Sequence, residues 1–340
     1  MNSPLTLQQA IDRVVSGGSL SEQEAVQTMQ TIMTGEATPA QIGGFLVALR
    51  MKGETVEEIT GFARVMREKA TRIVCRSYPL VDTCGTGGDG RNTFNISTVS
   101  AFVAAGAGVH IAKHGNRAAS SRSGSADVLA ALGVNIEIPP DRVAGCVDEV
   151  GIGFLFAPLL HAAMRFAIGP RREIGVRTVF NMLGPLTNPA GATAQVMGVY
   201  AGELTLPVAQ VLNNLGVERA FVVHSEDGLD EMTVTAPTHV AEVAGGTVKS
   251  YTLTPESVGL SRAKIETLAG GGAEENARVA RAILEGEKSP RRDVVLLNAG
   301  AALVAGGRAT DFREGVRLAE TSIDSGAARA KLEALIKATA

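Results

Sequence analysis

Asp82-Thr-Cys-Gly-Thr-Gly-Gly-Asp-Gly90, followed closely by Asn95-Ile-Ser-Thr98, decides how this chain is read. It is a glycine-rich turn that leaves a strand and feeds a helix. Glycines let main-chain N–H groups approach a ligand with no Cβ in the way. A helix N-terminus adds unpaired donors and partial positive charge. Together they form a seat for phosphate. A second polar turn follows at Lys113-His-Gly-Asn-Arg117, and then Ser120-Ser-Arg-Ser-Gly-Ser125. Two such turns suggest a ligand with more than one phosphate.

Gly85, Gly87 and Gly90 also fit G-x-G-x-x-G, the dinucleotide signature. In that fold the helix opens at the glycines, and an acid further on binds the ribose hydroxyl. Here the helix is expected to begin near Asn95 to Ser97. The next strand, Val109-His-Ile-Ala112, ends in Lys113 and His114 rather than in an acid. Lysine there suits another phosphate and disfavours NAD. A plain surface loop is the other alternative; it leaves the polar cluster at the helix start unexplained.

Flanking this stretch, the pattern alternates. A strand before Cys84, helix 96–107, strand 109–112, helix 124–132, strand 134–138 and helix 141–150 follow in turn. The alternation predicts an α/β domain with a mainly parallel central sheet covered by helices. Ala220-Phe-Val-Val-His224 reads as another buried strand, and 232–253, with Pro237 and Gly245-Gly246, as a hairpin region. Helices are expected over 273–284, 294–305 and the tail from 311.

The first 70 residues read as a small all-helical domain. Thr6-x-x-Gln9, Ser21-x-x-Glu24, Thr38-x-x-Gln41 and Thr55-x-x-Glu58 each fit the capping box, and Pro39 suits a first helical position. Each start precedes apolar residues at helical spacing, so four short amphipathic helices form a bundle. An apolar face left over would serve as a dimer surface.

Composition excludes several classes. The chain has 340 residues and a net charge of −3, so no overall footprint for nucleic acid is present. Three widely spaced cysteines argue for reduced thiols in a cytoplasmic protein, not a disulfide frame or a zinc site. No apolar run reaches the length a membrane span needs.

These motifs, with Ser123-Gly-Ser-Ala-Asp-Val-Leu129, Arg177-Thr-Val-Phe-Asn-Met-Leu-Gly-Pro-Leu-Thr-Asn-Pro189 and Gly228-Leu-Asp-Glu231, occur in one order along the chain. In that order the chain resembles the anthranilate phosphoribosyltransferase family, which shares its fold with nucleoside phosphorylases. The resemblance runs from the N-terminal helices to the tail. It implies a helical domain of residues 1–70, joined by helices from about 162–190, and an α/β domain of residues 71–340 that binds 5-phosphoribosyl 1-diphosphate (PRPP). It implies an active site at their hinge, a homodimer formed through the helical domain, and Mg²⁺ as cofactor. The implied reaction moves the phosphoribosyl group from PRPP to the amine of anthranilate, in tryptophan biosynthesis.

The resemblance also assigns residues. Gly85, Gly88, Asp89 and Thr93 would line the PRPP site. Asn95, Ile96, Ser97 and Thr98 would hold phosphate at the helix start. Lys113, His114, Gly115, Asn116, Arg117, Ala118, Ala119, Ser120 and Ser121, with Ser125, would close over PRPP; capping is the alternative role for Ser97, Ser121 and Ser125. Ser97, Asp230 and Glu231 would hold Mg²⁺, oxygen ligands suiting that ion; a solvated acidic turn is the alternative. Arg171 would bind the anthranilate carboxylate, with Asn116 and the main chain at Gly85, while Arg165, Arg172 and Arg177 compete as cations. His114 and His161 would line the aromatic pocket, neither as general base. The chain departs from the family pattern at Ala162, where Pro is usual. A phosphorylase of the same fold would bind inorganic phosphate instead; the adjacent Asp230 and Glu231 favour a metal-bound diphosphate. A nucleic-acid-binding relative would call for a basic groove and loss of the acidic pair or glycine loop, and neither loss is seen.

Overall fold

The computed structural model describes residues 5–118 and 122–340. Four helices open the chain: α1 (Leu7–Val15), α2 (Glu22–Met33), α3 (Pro39–Lys52) and α4 (Val56–Lys69). All four capping boxes form, with each hydroxyl accepting the third amide and the third side chain returning to the cap. Glu58 does more than cap. Its carboxylate is fully buried, accepts the Leu20 amide at 2.9 Å and meets the Lys52 ammonium at 2.9 Å. Helices α2 and α4 cross where a Cβ on Gly61 would stand 2.5 Å from the Glu22 carbonyl oxygen.

The remainder builds one seven-stranded sheet. In chain order come β1 (Leu80–Asp82), α5 (Ile96–Gly106), β2 (His110–Gly115), α6 (Ser125–Ala131), α7 (Pro140–Gly145) and β3 (Ile152–Phe156). Short helices α8 (Ala157–Leu160), α9 (Arg165–Ile174) and α10 (Phe180–Leu183) return the chain toward the bundle. Then follow β4 (Ala194–Gly198), α11 (Thr205–Asn214), β5 (Arg219–Ser225), β6 (Thr238–Ala244) and β7 (Thr247–Leu253). Helices α12 (Ala273–Leu284), α13 (Pro290–Ala305), α14 (Phe312–Asp324) and α15 (Ala327–Thr339) close the fold. The strand order is β3-β2-β1-β4-β5-β6-β7, parallel through β5 and antiparallel for the last two. The expected mainly parallel sheet is present.

Period-two alternation divides the core. In β5, Phe221 and Val223 face the core that holds α5 and α13, while Ala220 and Val222 face a second core. That second core is continuous from the helical bundle through Phe180, Leu183 and α11 to the sheet. From α4, Arg67 donates to the Leu186 carbonyl at 2.7 Å and the Leu215 carbonyl at 3.2 Å. Burial lowers its pKa to about 10, with repulsion from Arg64 a smaller cause.

One expected strand is absent. Residues 134–138 bury Val134, Ile136 and Ile138 in alternation, yet they join no sheet. The Asn135 amide donates to Thr339 Oγ1 of α15 at 3.1 Å, and the Glu137 amide to Asn135 Oδ1 at 3.1 Å. Alternation here records half-burial against a helix, not pairing. The strand expected at 109–112 runs further, over His110–Gly115, because Lys113 to Gly115 continue the parallel register against Phe154 to Phe156.

Candidate active site

Strands β1 to β3 build outward in one direction and β4 to β5 in the other, so the order reverses between β1 and β4. Crevices at such a switch point, beyond the carboxyl ends of the strands, are where open α/β sheets bind ligands. Four segments converge there: the glycine loop after β1, Lys113 to Arg117 at the end of β2, Gly198 ending β4, and the turn after β5.

Left-handed φ at Gly87, Gly88 and Gly90 curls the loop. The amides of Gly88, Asp89 and Gly90 have no hydrogen-bond acceptor among the described residues. Successive free amides in such a curl form an anion-binding concavity. The loop is tethered at Thr86, whose amide donates to the Gly198 carbonyl at 2.9 Å.

Helix α5 begins at Ile96 with Asn95 as cap residue, but the Asn95 side chain does not cap. It donates to the Ser123 carbonyl at 3.1 Å and accepts from Asn276 at 2.9 Å, tying the helix start to its surroundings. The Ser97 amide donates to Glu231 Oε1 at 3.2 Å. Thr98 is buried, and its hydroxyl finds no partner among the described residues. Ile96 is core, and Thr93 forms a single bridge with Ala269.

Asp230 and Glu231 sit on a tight turn. The Gly228 amide closes it on the Ser225 carbonyl at 2.8 Å, Ser225 Oγ donates to the Glu231 carbonyl at 2.6 Å, and Asn298 of α13 brackets Met232 from both sides. Both acids have raised pKa values. Burial is the main cause for each; then Asp89 pushes Asp230 up, and Asp230 pushes Glu231 up. Lys113 partly offsets this at Glu231. Its ammonium is buried beneath the loop, donating to the Thr83 carbonyl at 3.0 Å, Thr83 Oγ1 at 3.2 Å and Ser97 Oγ at 3.4 Å. Repelling, half-buried carboxylates beside a serine hydroxyl form an all-oxygen donor set short of positive charge. That fits a hard divalent cation.

A second cluster does not. The ligand atoms of Asp82, Cys84 and His114 lie within 4.8 Å of one another. But Asp82 already accepts the His114 amide at 3.1 Å and Asn188 Nδ2 at 2.7 Å, and burial pushes the Cys84 thiol far up. A protonated thiol and an engaged carboxylate make this a structural knot.

His114 and His161 face each other, Nε2 to Nε2, at 3.2 Å. Burial lowers His114 to about 3, with His161 a further cause, and burial lowers His161 to about 4. Both imidazoles are neutral at working pH. The ordinary value near 6.5 belongs to the unfolded chain. The unfolded state therefore takes protons first as pH falls below about 6.5, and stability is lost progressively toward the folded values. His161→Gln should flatten this acid slope, the difference from the parent protein reaching about 2 kcal/mol at pH 5 in urea titrations. Parallel slopes would show the pair to be unperturbed.

The four candidate arginines separate. Arg165 lies over Phe166, Arg172 is exposed, and Arg177 donates to the Gly88 carbonyl while stacked on Tyr200. Arg171 is half-buried with its guanidinium 5.0 Å from the Phe180 ring centroid and no carboxylate partner among the described residues. In the second turn, Arg117 is taken by Asp127 at 3.1 Å, as is the Ala118 amide at 3.0 Å. Asp127, not singled out from sequence, pins this turn; burial pushes its carboxyl up, but the Ala118 and Gly124 amides and Arg117 outweigh it and lower the pKa. The Ser125 hydroxyl donates to the Asn116 carbonyl at 3.4 Å, and Gly115 leaves no room for a Cβ against Ser125 and Phe154. Ala119, Ser120 and Ser121 lie outside the described residues. Ala162, at the departure from the family pattern, opens a short 3₁₀ turn through Met164.

Gly198 is the residue that sequence reasoning missed outright. A Cβ there would lie 1.4 Å from the Asp230 carbonyl oxygen, and one on Gly85 would lie 3.1 Å from the Gly198 carbonyl and 3.4 Å from Asp230 Oδ2. Glycine loop, β4 end and acidic turn are in backbone contact.

Loop amides without acceptors among the described residues, beside an all-oxygen donor set, suit a phosphate and a divalent cation, the pairing a phosphate-handling transferase uses. Two glycosyl transferase family models match: the helical bundle domain over residues 8–70 and the α/β domain over residues 77–329. The anthranilate phosphoribosyltransferases of Moorella thermoacetica and Symbiobacterium thermophilum are each 60% identical, over 97% and 94% of both chains respectively. The crystal structure of that enzyme from Thermus thermophilus superimposes with a TM-score of 0.92 at 50% identity, covering 97% of this chain and 99% of the other. The one from Saccharomyces cerevisiae, in complex with PRPP and Mg, gives 0.89 at 29% identity, covering 99% and 98%. The chain belongs to the glycosyl transferase family and, within it, to the anthranilate phosphoribosyltransferases.

Proposed function

We infer that the chain transfers the 5-phosphoribosyl group of PRPP to the amine of anthranilate, releasing diphosphate. The observation that carries this most directly is the glycine loop, whose amides, without acceptors among the described residues, stand beside a half-buried acidic turn at the switch point of the sheet. The anthranilate nitrogen bonds to C1 of the ribosyl group. The C1–oxygen bond to diphosphate breaks with its electron pair, and the nitrogen sheds a proton. An aromatic amine is nucleophilic when neutral, so holding it against C1 contributes more than a strong base. No residue is assigned as general base.

The residues divide the work. Amides of Gly88, Asp89 and Gly90, with the Ser97 and Thr98 hydroxyls, bind the phosphates. Lys113 holds the loop floor and adds charge. The second turn, Lys113 to Ser121 with Ser125, completes the PRPP site and excludes water. Asp230, Glu231 and Ser97 would hold Mg²⁺, which when bound neutralises the departing diphosphate. Arg171 binds the anthranilate carboxylate, aided by Asn116 and the main chain at Gly85.

Arg171→Ala should raise the anthranilate KM about tenfold or more while the PRPP KM changes little, a charge-assisted bond being worth roughly 1.5–3 kcal/mol. Equal effects on both substrates would make Arg171 a phosphate contact. We take residues 1–70 with the helices from about 162–190 as one domain and the remainder as the other. A homodimer through the bundle would cover Met51 and Val15, which are 83% and 68% exposed. No helix among the described residues is long and apolar enough to cross a membrane.

The reading is tested by mixing protein, PRPP, Mg²⁺ and anthranilate and following anthranilate fluorescence. Loss that needs both PRPP and Mg²⁺, with diphosphate released, supports it. Phosphorolysis of a pyrimidine nucleoside in place of that loss would move the chain to the phosphorylases.

A further inference from the structure

The phosphate loop is braced by a closed circuit of contacts that no substrate makes. On one side of Gly87, Thr86 Oγ1 accepts the Tyr200 amide at 3.1 Å. The Tyr200 ring carries the Arg177 guanidinium, 4.3 Å from its centroid. On the other side of Gly87, Arg177 Nη2 donates to the Gly88 carbonyl. The circuit is anchored from the helical bundle, where Arg50 of α3 donates to the Arg177 carbonyl at 3.0 Å. Space is tight, since a Cβ on Gly88 would lie 3.1 Å from Arg177 Nη2.

The consequence follows from peptide geometry. In a trans peptide the C=O and the following N–H point in opposite directions. Gly87, Gly88 and Gly90 all have left-handed φ, so their peptides have many orientations open to them. Fixing the Gly88 carbonyl on Arg177 fixes the Asp89 amide on the opposite side, where it has no acceptor among the described residues. We propose that Arg177, stacked on Tyr200, is a positioning residue that sets the Gly88–Asp89 peptide and thereby aims the Asp89 amide at the diphosphate of the substrate. This rests on the reading of the glycine loop as the PRPP seat. Arginine suits the task because its planar fork can stack and donate at once, while lysine can only donate. Arg177 acts through the Gly88 carbonyl it holds; it reduces the ordering that the loop undergoes on binding.

The test is a double-mutant cycle on Arg177→Ala and Tyr200→Leu, with Arg177→Lys and Tyr200→Phe as conservative controls. Binding of Mg·PRPP and of Mg·diphosphate is measured by calorimetry, beside steady-state kinetics and melting curves. Arg177→Ala is expected to weaken both ligands about tenfold and to raise the PRPP KM in parallel, with the anthranilate KM within about twofold. Tyr200→Leu should act in the same direction, and the double variant should be no worse than Arg177→Ala, because both break one circuit. Tyr200→Phe keeps the ring and should match the parent; Arg177→Lys should fall between. Diphosphate affinity unchanged in Arg177→Ala would overturn the proposal, as would losses in both substrate KM values that track a lowered melting temperature. If the parent protein bound neither Mg·PRPP nor Mg·diphosphate, the PRPP reading itself would fall, and this proposal with it.

Discussion

Asp230→Asn combined with Glu231→Gln is expected to lower kcat by about 10²–10³, the loss typical when a charge-stabilising group is removed from a reacting centre. The fold should survive, because the turn is held by Ser225 and Asn298 rather than by the acid side chains. The same variant should melt at a higher temperature than the parent in Mg²⁺-free buffer, by roughly 1–2 °C for each kcal/mol recovered. Its cause is the charge imbalance of the site: half-buried, Asp230 is repelled by Asp89 and Glu231 by Asp230. Burying like charges is costly, and neutral amides of the same shape relieve that cost. Adding Mg²⁺ should then raise the melting temperature of the parent and leave the variant unmoved. A variant that keeps parental kinetics, or that still responds to Mg²⁺, would remove these acids from the metal role.

Gly198→Ala should be the most damaging single methyl group in the chain. Its Cβ would fall 1.4 Å from the Asp230 carbonyl oxygen and 2.4 Å from the carbonyl carbon. Backbone cannot swing aside as a flexible side chain can. Either β4 shifts out of its parallel register with β5, where Gly198 lies opposite Val223, or the acidic turn moves away from the loop. The first costs stability and the second costs activity. We expect a loss of at least about 3 kcal/mol in urea titrations, the upper range for overpacking, with turnover down a hundredfold or more in whatever remains folded. Gly145→Ala is the matched control. It lies in α7 with nothing within 4 Å of the added Cβ, and should be neutral or slightly stabilising. Gly198→Ala with parental activity would mean that the three backbones do not meet as described.

Local signals account for what could be read in advance. The four capping boxes are written within a few residues each, and all form. The hairpin between β6 and β7 turns at Gly245 and Gly246, both with left-handed φ, and those two glycines are what announced it. Strands β3 and β4 were not anticipated. Every residue of Ile152–Phe156 and Ala194–Gly198 is buried, so neither alternates, and β4 includes alanine, glutamine and glycine, which carry little strand preference. At residues 134–138 the opposite happened: clean alternation without a partner strand. Within the site, the loop and the acid pair are contiguous motifs and were legible. Gly198 and Asp127 were not, because the need for each arises from contacts made by distant segments. Among four arginines in one short stretch, residue type and spacing did not separate Arg171 from Arg177; only the family resemblance singled out Arg171. The structure adds that Arg177 is engaged by the Gly88 carbonyl and the Tyr200 ring, while Arg171 rests on Phe180 with no carboxylate partner among the described residues.

The continuity of the second core also sets the order in which this protein can mature on the ribosome. Helices α1 to α4 precede the sheet in the chain; α4 packs on α2, but it also meets α10 and α11, which are made later. Arg67 waits for acceptors 119 and 148 residues downstream. At ordinary elongation speeds that interval lasts roughly 7–30 s. Throughout it the nascent bundle displays an unfinished apolar face and a guanidinium destined for burial. Its final docking must follow the emergence of α10 and α11, so the chain commits to its native architecture late, when the last acceptor at Leu215 has left the exit tunnel.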